Sequence, residues 1–362
     1  MHLNPQTDII IYGAGYCGAM FVELLQEKHI QPICVFDKDK QKQEKKVLGV
    51  EIVEPQYRQT DIVIVALLIR GSVYTSIKQY LLELGYVEEQ IVHIYDLANQ
   101  REIFDQQKLI IKPNLSIVET YAEQWEQLEC MLSDEESKQV LSAARRFLEG
   151  DSQTEFPSHP IKEQYFAYDI YKKIDDEEVV ECGGFKGDVM RIFLENNNGR
   201  FSHYTIIEPD ERYNTFIETN AAGYDSDNIR ILNYALSDTS QELYLTNYMN
   251  MNSVVSENQT KFNTQKVTAI SLDKLLPHEK CTFLKVDIEG YELKMLQGAK
   301  EIIQIHKPII AIAVYHHEYD LFEITKKLLE YHSEYKLFLR SYMNYQEMIL
   351  YAIPQERLVE SH

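Results

Sequence analysis

The feature that most constrains this chain is a short apolar segment followed by closely spaced glycines, near the middle of the sequence. The valines at 179 and 180 are β-branched and favour a buried strand, and Glu181 stands at its carboxyl end. Gly183, Gly184 and Gly187 then lead into a predicted helix. Because glycine lets the backbone pass close to a ligand, this segment predicts a strand, a tight turn and a helix that together form a binding loop.

The spacing of these residues separates the loop from other glycine-rich turns. It reads E-x-G-x-x-x-G, which differs from the G-x-G-x-x-G of dinucleotide-binding folds, and it indicates S-adenosylmethionine as the ligand. A second predicted strand ends in Glu208, about 20 residues beyond the glycines, where an acid can bind ribose hydroxyls. Structural corners and solvated strand ends have similar compositions, but two acids at successive strand ends favour a cofactor site. Its predicted residues are Glu181, Gly183, Gly187 and Glu208.

A similar strand, loop and helix unit opens the chain. The apolar segment 8–12 is followed by GAGYCG at residues 13–18, and the next predicted strand ends in Asp37. This is a complete G-x-G-x-x-G pattern with an acid in the ribose position, and strands and helices continue to alternate up to residue 97. A small Rossmann-like domain is therefore expected over residues 1–97, either binding a nucleotide or nucleotide sugar, or kept for packing or dimerisation. Its predicted nucleotide-binding residues are Gly13, Gly15, Gly18 and Asp37.

The length and charge of the chain limit its partners. With 362 residues it exceeds what one hydrophobic core usually organises, so two domains are expected. Its net charge of −21 would repel nucleic-acid phosphates and anionic membranes, so nucleic acid is not an expected partner. The apolar segment 62–69 is too short to cross a bilayer and residues 1–7 carry no targeting pattern, so we expect a cytoplasmic location without a membrane span. The five cysteines form no C-x-x-C pair, which favours reduced thiols over disulfides or a zinc site.

The pattern between the two α/β units is helical. Segment 116–132 places apolar residues three and four positions apart, and Ser133 precedes a second helical pattern. Glycine and proline in segment 150–160 end this pattern. The sequence thus predicts a helical connector over residues 98–160 and a second α/β domain over residues 161–362.

Four short motifs in the second domain occur in an order that is typical of one enzyme family. They are EPD at 208–210, ALSD at 235–238, ISLD at 270–273 and LKVDIEGYE at 284–292. With the later Tyr315-His316 and LYA at 350–352, they span about residues 178–353. This part of the chain resembles the FkbM family of S-adenosylmethionine-dependent methyltransferases.

The resemblance implies a class I methyltransferase fold, which has a seven-stranded, mostly parallel sheet and an antiparallel last hairpin. The chain as a whole is then expected to be α/β, with two doubly wound domains joined by the connector. The resemblance also implies S-adenosylmethionine as cofactor, Ala235 and Leu236 at its binding site, and O-methylation of a sugar or related small molecule. The chain departs from the family at ECGG, residues 181–184, where members more often have Asp-x-Gly-Ala-Asn. Its first hundred residues resemble the Rossmann-like modules attached to bacterial sugar-modifying enzymes.

Candidate catalytic residues lie near the carboxyl ends of two predicted central strands, where ligands bind in open α/β sheets. Asp287 could orient the methyl-accepting hydroxyl, the sulfonium region or a divalent metal, so a metal is compatible with the sequence but not assigned. His316 is predicted to act as the general base on an alcohol, because the pKa of histidine lies near neutral pH. Lys285 is a charge within a buried strand, which predicts either a structural ion pair with a carboxylate or a catalytic lysine.

Three functions are compatible with these patterns. The first is an S-adenosylmethionine-dependent O-methyltransferase that acts on a sugar or glycan precursor, which the asparagine-rich segment 247–261 would suit. The second is an oxidoreductase or sensor that binds NAD or a nucleotide sugar in its amino-terminal domain and has a degenerate second domain. The third is a non-enzymatic scaffold. Retention of Glu181, Glu208, Asp287 and His316 together favours the methyltransferase, and a homodimer is compatible with the sequence.

Overall fold

The computed structural model describes residues 3, 5–66, 72–97, 114–151, 154–224, 226–248, 252–259, 264–342 and 345–359. Part of the predicted connector, residues 98–113, lies outside the described residues, as do residues 249–251 and 260–261 of the asparagine-rich segment. The chain divides into two compact units, one with the described residues up to 97 and one with most described residues from 114 onward. In the described part of the chain, every helix is too short or too polar to cross a membrane.

The first unit is built on a mainly parallel sheet. Its strands are β1 (Ile9–Tyr12), β2 (Cys34–Phe36), β3 (Lys46–Val47), β4 (Val50–Val53), β5 (Ile62–Val65) and β6 (Ile91–His93). Its helices are α1 (Tyr16–Glu27), α2 (Ser72–Glu83) and α3 (Ile94–Leu97). The strand order is β3-β4-β2-β1-β5-β6, and β1 pairs in parallel with β2 and β5. The apolar segments β1 and β5 are completely buried, as expected for central strands of a parallel sheet.

The rest of the chain contains eleven strands among its described residues. They are β7 (Glu178–Cys182), β8 (His203–Ile207), β9 (Ile229–Leu232), β10 (Ala235–Leu236), β11 (Gln241–Tyr248), β12 (Asn252–Ser256), β13 (Thr264–Ile270), β14 (Phe283–Val286), β15 (Ile309–Ala313), β16 (Lys336–Ser341) and β17 (Met348–Ile353). The helices are α4 (Leu115–Thr120), α5 (Ala122–Met131), α6 (Glu135–Leu148), α7 (Asp188–Asn196), α8 (Asn214–Ala221), α9 (Leu272–Leu275), α10 (Glu292–Gln297), α11 (Lys300–His306) and α12 (Asp320–Tyr331).

Seven of these strands form the central sheet of the second unit, in the order β16-β17-β15-β14-β7-β8-β9. The five strands from β15 to β9 in this order are parallel, and the β16–β17 hairpin is antiparallel. The expected seven-stranded sheet with an antiparallel last hairpin is therefore confirmed. Because β7, β14 and β15 are parallel neighbours, the residues that follow them meet at one edge of the sheet.

A smaller sheet with the order β10-β13-β11-β12 accompanies the central one. In it, β10 pairs in parallel with β13, and β11 pairs antiparallel with β13. The ALSD motif begins in β10, and the ISLD motif starts with the last residue of β13 and leads into α9. The two motifs therefore begin within a pair of hydrogen-bonded parallel strands and continue beyond their ends.

Helix α6, within the predicted connector, is attached to the central sheet of the second unit through one buried arginine. Asp134 accepts a hydrogen bond from the backbone N–H of Ser137, as residues that cap helix N-termini do. The guanidinium of Arg340, in β16, lies 2.5 Å from the same Asp134 carboxylate and 3.2 Å from Asp169. Burial opposes the charge of Arg340, but these carboxylates raise its pKa overall, so it remains a cation. This ion pair joins the helical segment to β16.

Candidate active site

The central glycine loop follows β7, and its glycines are required by close packing. Gly183 has a φ of +84°, and a Cβ there would lie 1.8 Å from the backbone carbonyl oxygen of Asp287. A Cβ on Gly184 would lie 2.2 Å from a side-chain carbon of Ile206. The first glycine lets the loop approach the residue that follows β14, and the second lets it approach β8.

Gly187 is the residue before helix α7, and it has a left-handed conformation with a φ of +80°. A Cβ at this position would lie 3.1 Å from the Cα of Ile217 in α8. The structure thus supplies a packing reason for this glycine, since its missing side chain would meet another helix of the same domain. The predicted loop geometry is present, with a turn that only glycine adopts easily.

Glu208 follows β8 and accepts a backbone hydrogen bond from the glycine loop. Its carboxylate accepts hydrogen bonds from the backbone N–H groups of Phe185, at 2.8 Å, and Asp210, at 2.9 Å. Burial raises the pKa of Glu208 to about 7, although these two N–H groups oppose the shift. The structure places this predicted ribose-binding acid directly against the loop, where its charge changes near neutral pH.

Glu181 and Lys285 form the ion pair that the sequence allowed for a charge in a central strand. The two residues are register partners on β7 and β14, and the Lys285 Nζ lies 3.6 Å from Oε1 of Glu181. Nζ also donates a hydrogen bond of 2.5 Å to the backbone carbonyl of Gly183. The Tyr204 hydroxyl donates to the other oxygen of Glu181, at 2.8 Å. Both side chains are buried, and the hydrogen bond from Lys285 to Gly183 connects the pair to the glycine loop.

Asp287 directly follows β14 and is oriented by two tyrosines. The hydroxyl of Tyr165 donates a hydrogen bond of 2.5 Å to its Oδ2, and the Tyr315 hydroxyl lies 3.3 Å from the same oxygen. Burial would raise the pKa of Asp287, but the charges of Lys285 and His316, with the two hydroxyls, lower it below its ordinary value. Asp287 is therefore an anion at neutral pH.

His316 follows β15 and is almost completely buried among carboxylates. Its Nε2 lies 3.7 Å from Oδ1 of Asp287 and 3.5 Å from Oε2 of Glu289, and its Nδ1 lies 3.0 Å from Oε1 of Glu292. Burial lowers the pKa of His316, but Glu292 and Glu289 outweigh this and raise it well above 6.5. These carboxylates therefore favour the protonated ring, whereas a general base must be neutral, and the role of His316 as a base stays a prediction.

The structure adds three residues to this group that sequence reasoning missed as parts of the site. Tyr165 lies before β7 in a segment without a motif, and Glu347 lies just before β17. Burial, together with the charge of Asp287, raises the pKa of Glu347 to about 7. Glu292 accepts hydrogen bonds from the backbone N–H groups of Ile288 and Gly290 and so fixes the turn after Asp287. Only Glu292 had a usable signal, in the acidic DIEGYE motif.

Ala235 and Leu236, the other predicted cofactor residues, are buried in β10 of the smaller sheet. Ser237 follows these two residues. A Cβ on Gly298 would lie 2.3 Å from the backbone carbonyl oxygen of Ser237 and 2.8 Å from the Cβ of Ser271. The ALSD and ISLD motifs and Gly298 thus pack against one another. The structure gives these motifs a packing role, and contact of Ala235 and Leu236 with the cofactor stays a prediction.

In the amino-terminal loop of the first unit, as in the central loop, the acid that follows the next strand accepts a backbone N–H of the loop. The backbone N–H of Ala14 donates a hydrogen bond of 2.9 Å to Asp37, and that of Gly13 donates to the carbonyl of Phe36. A Cβ on Gly18 would lie 1.7 Å from the Gly13 carbonyl oxygen, so helix α1 requires glycine there. Gly15 precedes α1 in an extended conformation. The predicted residues therefore form a closed loop, with Asp37 also 3.3 Å from the Nζ of Lys42.

Comparisons with known proteins match both parts of the chain. A family model described as Methyltransferase FkbM domain matches residues 181–346, and one described as C2185-like, N-terminal, matches residues 6–92. A crystal structure of methyltransferase FkbM from Methylobacillus flagellatus KT is 20% identical with a TM-score of 0.67, over 96% of this chain and 90% of that chain. UDP-D-quinovosamine 4-dehydrogenase from Vibrio fischeri is 22% identical with a TM-score of 0.21, over 26% of this chain and 85% of that chain. A search of curated proteins gives no significant match.

Proposed function

Residues 181–346 form a methyltransferase domain of the FkbM family, and from this premise we propose that the protein is an S-adenosylmethionine-dependent O-methyltransferase. Its acceptor is a hydroxyl group of a sugar, a glycan precursor or a related small molecule. The observation that carries the proposal is the closeness of the glycine loop to an ionised acid. A Cβ on Gly183 would lie 1.8 Å from the backbone carbonyl oxygen of Asp287, so the loop packs directly against the residue that carries this carboxylate.

The residues around the loop fit S-adenosylmethionine. Each oxygen of the Glu208 carboxylate accepts one backbone N–H, and a carboxylate oxygen has a further lone pair that a ribose hydroxyl can use. The backbone of residues 183–187 turns tightly at glycines next to this acid. When bound, the cofactor supplies a methyl group already activated by a sulfonium, so the protein has to align the acceptor oxygen, exclude water and accept one proton.

Asp287 is the residue that we propose to bind the acceptor hydroxyl. It is ionised, and the hydroxyls of Tyr165 and Tyr315 hold its carboxylate in place. An acid with a lowered pKa is a weak base toward an alcohol, so Asp287 orients the hydroxyl more effectively than it removes the proton. His316 can act as the base that the sequence suggested only after losing its own proton. Lys285 acts through the loop, because it contacts Glu181 and Gly183.

The first unit is proposed to bind the nucleotide part of the substrate or to join two chains. Its support is the closed loop in which Asp37 accepts the N–H of Ala14, in the position where a dinucleotide-binding fold has its ribose acid. A reducing compartment such as the cytoplasm suits the chain, because its buried cysteines are free thiols. These cysteines are Cys17, Cys34, Cys182 and Cys281.

Methyl transfer from labelled S-adenosylmethionine tests the proposed function. The purified full chain is incubated with the labelled cofactor and a panel of nucleotide sugars and free sugars, and the products are analysed by mass spectrometry. We expect one acceptor to gain a labelled methyl group while an equal amount of S-adenosylhomocysteine forms, with Asp287→Asn losing most of this activity. Reduction of NAD by a sugar without any methylated product would instead favour the oxidoreductase.

A further inference from the structure

The carboxylates around His316 form a group that the proposed methyl transfer does not fully explain. Asp287 and Glu289 face the Nε2 side of the imidazole, at 3.7 and 3.5 Å, and Glu292 faces the Nδ1 side, at 3.0 Å. The ring is 3% exposed. Its Nδ1 has no aligned hydrogen-bond partner among the residues that the structure describes. Both ring nitrogens thus lie near carboxylates.

A neutral imidazole cannot satisfy this arrangement. One ring nitrogen of a neutral histidine carries a hydrogen and the other a lone pair, so either tautomer points a lone pair at a carboxylate. A protonated ring removes that conflict, but three carboxylates then share one imidazolium, with the charge of Lys285 also acting on Asp287. Buried charges normally require a partner of opposite sign or a metal ion. The carboxylates of this group can therefore bind more positive charge than the His316 imidazolium supplies.

We propose that Asp287, Glu292 and His316 bind one divalent cation, with Glu289 within reach as a further carboxylate ligand. One ligand atom from each of the three residues lies within 4.8 Å of the others. Two ligands about 2.1–2.2 Å from an ion and 90–120° apart are separated by about 3.0–3.8 Å. Asp287 and Glu292 face different ring nitrogens of His316, so the side chains must turn for all three residues to reach one ion. Carboxylates with one imidazole suit Mn²⁺ or Mg²⁺ better than the soft-ligand metals.

A cation at this position has a task in methyl transfer, which is to act on the acceptor hydroxyl. This task rests on the proposed function. Asp287 is the residue proposed to orient the acceptor hydroxyl, so a cation bound to it can also contact that oxygen. A metal ion lowers the pKa of an oxygen that it binds, so a hydroxyl on the cation would give up its proton more readily than one held by Asp287 alone, and the proton would pass through the Asp287 carboxylate to solvent water. The binding of the cation itself depends on the residues of this group and does not require the methyl-transfer activity.

Electron paramagnetic resonance of Mn²⁺ tests the site directly. The full chain is freed of metals with a chelator and titrated with Mn²⁺ in the absence of cofactor and acceptor, and free Mn²⁺ is measured from its signal. We expect one bound Mn²⁺ per chain, displaced by Mg²⁺. Asp287→Asn and His316→Gln should each weaken Mn²⁺ binding by ~10-fold or more. His203→Gln, at an exposed histidine outside the group, should bind Mn²⁺ as the wild type does.

Two results would overturn the proposal. One is a wild-type protein, folded by circular dichroism, that binds no Mn²⁺ at millimolar concentration. The other is Mn²⁺ affinity that is unchanged in both Asp287→Asn and His316→Gln. Methyl transfer at full rate after chelator treatment would overturn the cation's task in the reaction while leaving the proposed methyltransferase function intact. A protein that binds Mn²⁺ but transfers no methyl group would support the site and reject the proposed function.

Discussion

The hydroxyl of Tyr165 donates a hydrogen bond of 2.5 Å to the carboxylate of Asp287, although 122 residues separate the two in the sequence. Tyr165 is buried and has a φ of +69°, a conformation that is rare for a bulky residue. Such strained positions persist where the surrounding structure holds them, and they cluster at functional sites. We infer that Tyr165 is a positioning residue that fixes the orientation of Asp287.

Replacing this tyrosine should change the titration of Asp287. In Tyr165→Phe the carboxylate loses a hydrogen bond that favours its charged form, so its pKa rises and the acid limb of the pH–rate profile moves to higher pH. Turnover should fall by roughly 10-fold or more, the usual value of a hydrogen bond to a charged group. Tyr342→Phe is the control, because the Tyr342 hydroxyl pairs with Tyr351 and not with Asp287. A pH profile that is the same in Tyr165→Phe and wild type would contradict this role.

Variants of the buried Lys285–Glu181 pair distinguish a structural ion pair from a catalytic lysine. Lys285→Met leaves Glu181 as an unpaired buried charge, so the free energy of unfolding should fall by about 3–5 kcal/mol. The double variant Lys285→Met/Glu181→Gln removes both charges and should be more stable than Lys285→Met alone, as measured by urea denaturation. A double variant that is no more stable than Lys285→Met would contradict the ion-pair account. Loss of methyl transfer in a stable double variant that still binds S-adenosylhomocysteine would favour a catalytic role for Lys285.

The glycine loop gives a prediction with a matched control. Gly183 and Gly223 both have left-handed conformations, with φ of +84° and +95°, but only a Cβ on Gly183 meets another residue, the Asp287 backbone. Gly223→Ala should therefore cost about 1–2 kcal/mol of stability for its backbone alone. Gly183→Ala should cost more and should also weaken S-adenosylhomocysteine binding, because Asp287 and the loop must move apart. Equal losses of unfolding free energy in the two variants would show that the close approach has no consequence.

Burial of Glu208 predicts a pH-dependent stability. Its pKa is about 7 in the folded chain against an ordinary value of 4.5, so the folded state binds its proton more tightly than the unfolded state. The favourable contribution is complete below pH 4.5 and is lost as pH rises through 7, with a total of up to about 3 kcal/mol. Urea denaturation between pH 4.5 and 8 should show the wild type losing stability relative to Glu208→Gln. A constant difference between the two proteins over this range would refute the raised pKa.

Much of the fold was predictable because its signals are local. The family resemblance implied a seven-stranded sheet, and the charge of Lys285 within an apolar strand predicted an ion pair with a carboxylate; the sheet is present, and the carboxylate is that of Glu181. The family resemblance drawn from four short motifs is confirmed over residues 181–346. Each of these signals depends on neighbouring residues or on the order of elements along the chain.

The parts that sequence reasoning missed depend on contacts between distant segments. Tyr165 belongs to a segment without regular periodicity, and only the folded chain brings it to Asp287. Burial lowers the pKa of His316, but Glu292 and Glu289, whose acidic motif reads equally well as a helix start, raise it overall. Residue type alone gives the ordinary pKa of histidine and does not show this shift. The same limit applies to Gly187, whose contact with Ile217 depends on how two helices pack.

The most direct test compares two acids that occupy equivalent positions in the two units. Glu208 accepts the N–H of Phe185 and Asp37 accepts that of Ala14, each from a residue 23 positions earlier. Glu208→Gln and Asp37→Asn both keep an acceptor oxygen and remove the charge. The measurement is calorimetric titration of wild type and both variants with S-adenosylhomocysteine at pH 8, where Glu208 is ionised.

The account predicts that Glu208→Gln binds S-adenosylhomocysteine at least ~10-fold more weakly than wild type and Asp37→Asn do, because a charged acceptor of the ribose hydroxyls is lost. Unchanged affinity in folded Glu208→Gln, or affinity lost in Asp37→Asn alone, would contradict a cofactor site on the central glycine loop.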